Sequence, residues 1–270
     1  MQKINREEFS RLVTYMHDSY GINLENKLAL VEGRLWGVIS QKGFDSLDEY
    51  FHYVISDTTG AEARMLVTKL TTNYTYFMRE DQHYKFLTAQ ALPHFAASLR
   101  DRDLRLWSAG CSSGEEPYTT AMVLDEFFGP TKASWDAKIL ATDISPLMLK
   151  QAAEARYAEE RLQNVPPAWK KKYFIPDGEA WRVAPAIKNE VIFGSFNLME
   201  KNFPFRKPFH IIFCRNVMIY FDKQTRHDLV MRFYHALAPG GYLIIGLSET
   251  LTKGETPFLF VQPSIYRKGT

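Results

Sequence analysis

The sequence predicts an all-α domain followed by an α/β domain whose sheet is mostly parallel and carries a small β insertion. Three observations predict it. Apolar residues recur at helical spacing up to about residue 72, short apolar runs alternate with helical stretches from about residue 104, and a hairpin pattern interrupts that alternation between about 156 and 190. A length of 270 residues suits two domains at a prior of about 150 residues each.

Taking the elements in order, Phe9, Leu12, Val13 and Met16 fall at i, i+3, i+4 and i+7 and stop at Gly21. Leu28, Val31, Leu35 and Val38 repeat the stripe and stop at Gly43. Ser46 and Glu49 have capping-box spacing and open a third helix carrying Tyr50, Phe51 and Val54; Ala63, Leu66, Val67 and Leu70 mark a fourth. Residues 1–72 hold eight Lys/Arg against ten Asp/Glu and no residue set that suggests chemistry, so this part reads as a recognition or packing domain. In residues 73–270, strands are expected at Leu104–Trp107, Ala137–Thr142, Phe209–Cys214 and Gly241–Gly246, with helices over 117–128, after Asp143 and over 223–237. The insertion holds Pro166-Pro167, the run Lys170-Lys171-Lys172 and a hairpin turning at Asp177-Gly178, a pair suited to the positive φ angles of a type I′ turn.

Composition excludes several classes. With 46% hydrophobic and 24% charged residues the chain is neither disordered nor coiled-coil, and 33 Lys+Arg against 31 Asp+Glu give a net charge of only +2, too balanced to suggest a nucleic-acid binder from charge alone. No apolar run approaches the ~18 residues of a membrane span, and the N-terminus lacks the apolar core of a signal peptide. A cytoplasmic, monomeric protein with no direct membrane insertion is expected. Cys111 and Cys214, without a CxxC or clustered His, predict neither a disulfide framework nor a metal site.

In open parallel sheets ligands bind beyond the carboxyl ends of the strands. The first strand runs into Ser108-Ala109-Gly110-Cys111-Ser112-Ser113-Gly114-Glu115-Glu116, a GxxxG spacing with no GxGxxG and no GK[ST]. Two carboxylates sit where a phosphate would use the positive end of the helix dipole, so a hydroxylated or cationic ligand fits better than a phosphorylated one. The plain alternative is a capped helix with Pro117 in its first turn. Asp143 ends the second strand, where an acid commonly accepts from both ribose hydroxyls; taken alone it serves equally as a cap for the helix at Ser145-Pro146. Together the pair favours an adenosine ligand without a pyrophosphate, such as S-adenosylmethionine. Further strand ends give Phe196-Asn197-Leu198 and Cys214-Arg215-Asn216, and for Arg215 the plain alternative is an internal ion pair. Asp222 reads as the cap of the following helix.

The segments Leu70–Glu80, Trp107–Tyr118, Ala141–Ile144 and Phe213–Phe221 resemble the chemotaxis receptor methyltransferases of the CheR family, and Ala238-Pro239-Gly240-Gly241 resembles the wider class of Rossmann-like methyltransferases. The resemblance covers nearly the whole chain. It implies a helical N-terminal domain on a Rossmann-like S-adenosylmethionine-dependent methyltransferase domain with a small β-subdomain. It also implies methyl transfer to glutamate carboxylates on the cytoplasmic helical bundle of chemoreceptors, with S-adenosylhomocysteine as product. Carried over by position, Asn73, Thr75 and Arg79 line the cofactor site, Glu116 and Asp143 hold polar groups of the cofactor, Asn197 and Leu198 contact the adenosine, and Arg215 and Asn216 complete the pocket. Tyr220 and Arg79 are the residues expected to position methyl group, acceptor or carboxylate. Family members dock on receptors through a basic face of an N-terminal helix, which here would be the face of Lys27, Arg34 and Lys42, with Arg34 as the receptor contact. Members that bind a receptor's C-terminal peptide carry a longer, glycine-containing loop than Tyr173–Val183, so independence from that peptide is expected. The alternative from another class is a cofactor-binding but catalytically silent docking protein of a chemosensory array.

Overall fold

Four helices, α1 (Arg6–Tyr20), α2 (Leu28–Gln41), α3 (Leu47–Ser56) and α4 (Ala61–Leu70), precede the first strand in the computed structural model, which describes residues 4–270. The buried stripe of α1 is Leu12 and Met16, and that of α2 is Val31, Leu35 and Ile39, so Ile39 rather than the expected Val38 completes the i, i+4, i+8 row. The Ser46 hydroxyl accepts from Glu49 N–H as a cap should, but the Glu49 carboxylate takes the N–H of Asp45, so the reciprocal half of the box is displaced by one residue. A complete box stands instead at Asn5 and Glu8, opening α1.

After helices α5 (Gln82–Phe86) and α6 (Leu92–Ser98) the sheet begins with β1 (Leu106–Ala109), followed by α7 (Glu115–Phe128), β2 (Ile139–Asp143) and α8 (Pro146–Glu154). The insertion comprises β3 (Arg156–Ala158), α9 (Pro167–Tyr173), β4 (Phe174–Asp177), β5 (Ala180–Val183) and α10 (Pro185–Lys188); then come β6 (Val191–Ser195), β7 (Phe209–Cys214), α11 (Lys223–Ala236), β8 (Leu237–Ile245), β9 (Leu259–Gln262) and β10 (Ile265–Arg267). The main sheet has seven strands in the order β6-β2-β1-β7-β8-β10-β9, parallel from β6 to β8 and antiparallel beyond, while β3-β5-β4 form a separate antiparallel sheet. The chain leaves β1 for β2 and β6 on one side and returns to β7 on the other, which puts the topological switch point between β1 and β7.

Two expectations shift by a residue or two. β1 starts at Leu106 and includes Ser108 and Ala109, because the chain turns only at Gly110, where φ is 82°. In the hairpin Asp177 pairs with Ala180, so the tip is Gly178-Glu179, with positive φ at Gly178 and not at Glu179. Asp177 is free to accept from Arg156 at 3.0 Å and Arg182 at 2.6 Å.

Successive residues of a strand face opposite sides, and the core divides accordingly. Leu106, Ile211 and Phe213 join Tyr84, Tyr118 and Tyr157 on one face, whereas Trp107, Ile212 and Cys214 join α11 on the other. The second cluster is continuous with Leu12, Met16, Leu35 and Leu66 of the helical domain, so the sheet and the N-terminal helices share one core. Gly21 marks how close they come: a Cβ there would lie 2.5 Å from the Met199 sulfur and 2.8 Å from Thr225.

Candidate functional site

A cavity of about 280 Å³ opens at the switch point, within the Gly110–Ser112, Asp143–Ile144, Phe196–Leu198 and Arg215–Phe221 segments that follow β1, β2, β6 and β7. The interdomain linker, Thr71–Thr75 with Arg79, closes the cavity, and Tyr20, Ile22 and Val67 of the helical domain add an apolar patch. Of the site residues expected from sequence, Asn73, Thr75, Arg79, Glu116, Asp143, Asn197, Leu198, Arg215, Asn216 and Tyr220 all line this cavity. Arg34 does not.

Asp143, 8% exposed, is held by backbone: Oδ2 accepts from Ser112 N–H and Oδ1 from Ser145 N–H, both at 2.8 Å. It therefore ties the glycine loop to the residue that opens α8, but the cap of that helix is Ser145, whose hydroxyl accepts from Met148 N–H at 3.2 Å. Burial pushes its pKa up, against these N–H donors, which favour the charged form. A carboxylate has about four acceptor positions, so two remain for a ligand. Gly110 has no room for a side chain, since a Cβ would meet Val217 at 2.5 Å.

Arg215 is the internal ion pair that sequence offered as the plain reading, and it lines the cavity as well. Its guanidinium, 6% exposed at residue level, donates to Glu80 at 3.2 Å, Glu116 at 3.0 Å, the Tyr84 hydroxyl at 3.2 Å and the Arg79 carbonyl. Glu116 also accepts from Ser108 at 2.7 Å. Burial raises the Glu116 pKa with Arg215 pulling the other way; for Glu80 burial also pushes up, but Arg215 foremost, together with His83, Asn216 and the Leu247 N–H, leaves the carboxyl below its ordinary value. His83, wholly buried beside this pair, is pushed down to about 4 by burial and by Arg215, so it is neutral near pH 7.

Three supporting residues escaped the sequence reading. Glu249, 6% exposed, accepts from Asn216 N–H at 2.9 Å, Gly246 N–H at 2.6 Å and Ile219 N–H at 3.1 Å, pinning the turn in which Asn216 adopts φ 58°. Burial pushes its pKa up and those N–H groups oppose the shift. It stands just past β8, a strand end like the others, and that position was the available signal. Arg161 of the insertion reaches the Thr75 carbonyl and Glu115 at 3.2 Å, and Tyr157 donates to the Ser113 carbonyl at 2.6 Å, so the small sheet braces linker and glycine loop together. These partners lie 44 to 86 residues away, and no local pattern announces them.

The linker is held from both domains. The Tyr220 hydroxyl accepts from Thr72 N–H at 3.3 Å and donates to Thr72 C=O at 3.2 Å, while Arg34 donates to Leu70 C=O at 2.8 Å and Thr72 Oγ1 at 2.7 Å. Both ends of the Arg34 fork are thus engaged at the linker within the chain. Lys42 likewise pairs with Glu62 at 2.8 Å, and Lys27 lies 5.8 Å from the Tyr220 ring centre. Asn73 donates to Thr68 C=O at 3.1 Å, Arg79 to Tyr74 C=O at 2.8 Å, and Asn197 to Ser19 C=O at 2.9 Å, tying the β6 end to α1.

The donor set fits an adenosine-bearing sulfonium compound. Asp143 and Glu116 present acceptors, Ile144, Phe196, Leu198 and Val217 present apolar surface, and Arg79 supplies a cation at the linker side. Among the described residues no cluster of His, Cys, Asp or Glu has metal-binding geometry.

Comparison with known proteins agrees. Residues 73–266 match the family model of the CheR methyltransferase SAM binding domain, and residues 7–71 match that of the CheR methyltransferase all-alpha domain. A chemotaxis protein methyltransferase of Borreliella burgdorferi is 41% identical over 98% of this chain and 95% of its own length. Those of Pseudomonas putida (36% identity; 95% of each chain) and Escherichia coli (34%; 96% of this chain, 89% of that one) are similarly related. With a strand-end cavity suited to the cofactor and matches across both domains, the chain belongs to the CheR family of S-adenosylmethionine-dependent chemotaxis protein methyltransferases.

Proposed function

We propose that this cavity is where the enzyme forms glutamate methyl esters on the cytoplasmic helical bundle of a chemoreceptor, the covalent step of chemotactic adaptation. The observation that carries the reading is that ten residues from four strand ends and the linker converge on one cavity. S-Adenosylmethionine, when bound, supplies an electrophilic methyl group on a cationic sulfur. In this reading Asp143 accepts hydrogen bonds from the ribose through its two remaining positions, and Leu198 and Asn197 flank the base. Arg79 fixes a carboxylate, of cofactor or substrate, and Glu116 faces polar groups of the cofactor from the anchored end of α7. A substrate glutamate is ionised at pH 7 and needs no general base. The protein's contribution is therefore orientation and exclusion of water, and orientation alone is worth up to ~7–11 kcal/mol. Tyr220, fixed by Thr72 at the cavity edge, directs the acceptor.

The β-subdomain supports independence from a receptor tail peptide. β4 is an edge strand, its Pro176 offers no N–H, and the two-residue tip leaves no loop to wall a side-chain pocket. Incubation with methyl-labelled S-adenosylmethionine and receptor-containing membranes should place base-labile label on receptor, without saturable binding of the isolated tail peptide. Binding of S-adenosylhomocysteine with no label transferred would establish the silent docking protein instead.

A further inference from the structure

At the amino ends of the parallel strands, away from the cavity at their carboxyl ends, a second cleft of about 650 Å³ lies at the start of β7 and the end of α11. Its charged lining consists of Lys201, Arg206, Lys207, Arg232 and His235, over Phe203 and Phe205; among the described residues no carboxylate lines it. Such a set stands out in a chain whose net charge is only +2. A volume in the range of small-molecule sites and an apolar floor under convergent cations describe a binding site rather than a solvated face.

The ordinary duties of these cations do not account for them. Basic residues near a helix C-terminus commonly cover its last carbonyls, but at α11 Lys268 does this, donating to Tyr234 C=O at 2.8 Å and Leu237 C=O at 2.7 Å. Arg232 donates from Nη2 to Leu198 C=O at 3.1 Å, while its Nε is buried with no partner and burial pulls its pKa down. Lys207 pairs with Asp103 at 2.9 Å, but Lys201 and Arg206 are exposed and, among the described residues, have neither ion pair nor side-chain hydrogen bond. Like charges gathered on one cleft repel one another, and an anion held between Lys201 and Arg206 relieves that.

We propose that this cleft binds a polyphosphorylated small molecule of nucleotide size, the phosphates on Arg206, Lys201 and Arg232 and any ring against Phe203 and Phe205. The site is separate from methyl transfer and does not depend on which receptor is the substrate. It touches the cofactor cavity at one point, the Arg232 bond to the Leu198 carbonyl.

The test is calorimetric titration of the full chain with inorganic tripolyphosphate and, separately, with ATP, alongside sedimentation with phosphatidylglycerol vesicles. Saturable binding of tripolyphosphate is expected, with ATP tighter if the aromatic floor takes the base. Lys201→Glu together with Arg206→Glu should weaken both by at least tenfold while leaving S-adenosylhomocysteine affinity unchanged, which also reports that the variant is folded. Absence of saturable binding, or equal affinity in the double variant, overturns the proposal. Sedimentation with vesicles without binding of either soluble probe overturns it too, and assigns the patch to an anionic membrane surface.

Discussion

Two buried carboxylates, Asp143 and Glu249, do the same mechanical work at two different strand ends. Each accepts backbone N–H groups from the turn that carries site residues: Asp143 from the loop after β1, Glu249 from the turn after β7. Each is less than a tenth exposed, and burial raises the pKa of both. The difference is in what is left over. Asp143 lines the cavity and spends one N–H bond per oxygen, whereas Glu249 stands behind the turn, outside the cavity lining, and takes at least three. A carboxylate that both braces a loop and meets a ligand is thus distinguished from a mere brace by unfilled acceptor positions facing a cavity, not by burial or charge.

The sharpest way to break this comparison is to remove each carboxylate. Asp143→Ala should raise the dissociation constant of S-adenosylhomocysteine at least a hundredfold in calorimetry, since two charge-assisted bonds to the ligand are worth ~1.5–3 kcal/mol each. It should also lower the melting temperature, because the Ser112 and Ser145 N–H groups lose their acceptor. Glu249→Ala should lower the melting temperature as much or more, leaving three N–H groups without their acceptor, but should raise that constant only several-fold while kcat falls about tenfold. Equal losses of cofactor affinity in the two variants would mean that the distinction drawn from acceptor positions is empty.

Tyr220→Phe sharpens the same contrast on the turn that Glu249 holds. It deletes two bonds to Thr72 and keeps the ring, so methyl transfer should slow by roughly tenfold with cofactor affinity within about threefold, as for an interaction made chiefly in the transition state. A large rise in the cofactor dissociation constant at unchanged rate would move Tyr220 to the binding side. The smallest effect concerns His17, whose Nε2 lies 2.8 Å from Asp222 across the domain contact and whose Nδ1 lies 3.0 Å from Asp18. Hydrogen bonds to Asp18 and then Asp222 raise its pKa, so its contribution to stability is complete below about pH 6.5 and is lost as pH rises through the higher folded value. The pair is largely solvated, and His17→Gln should remove less than about 1 kcal/mol of pH-dependent stability, read as a flatter melting temperature between pH 6 and 8.

Legibility in the sequence follows the reach of each interaction. The α/β class, the helical first domain and Asp143 were readable because periodicity and the strand-end rule are local. The Asp222 cap was readable for the same reason, and its side chain does accept from Thr225 N–H. The end of β1 was misplaced because Ser108-Ala109 looks like loop, yet Ser108 is fully buried and satisfied by Glu116. The hairpin register slipped by one since Asp-Gly and Gly-Glu both make acceptable tips. Arg34 marks a limit of local reading: a basic residue on a helix face looks the same whether its partner is a receptor or a carbonyl 36 residues away. Glu249 carried a strand-end signal that went unused, whereas Glu80 and Arg161 are legible only once the fold brings distant segments together.

The linker is both the joint between the two domains and a wall of the cavity, and this limits how far the chain can be treated as modular. A fragment cut at residue 73 would lack Tyr20, Ile22 and Val67 from the wall of its cavity and would lose the close approach of Gly21 to Met199 and Thr225. Exchanging helical domains between relatives to redirect receptor choice would also exchange part of the cofactor site. Such a chimera keeps its activity only if the graft carries the linker through Arg79, together with the residues from both sides that clasp it.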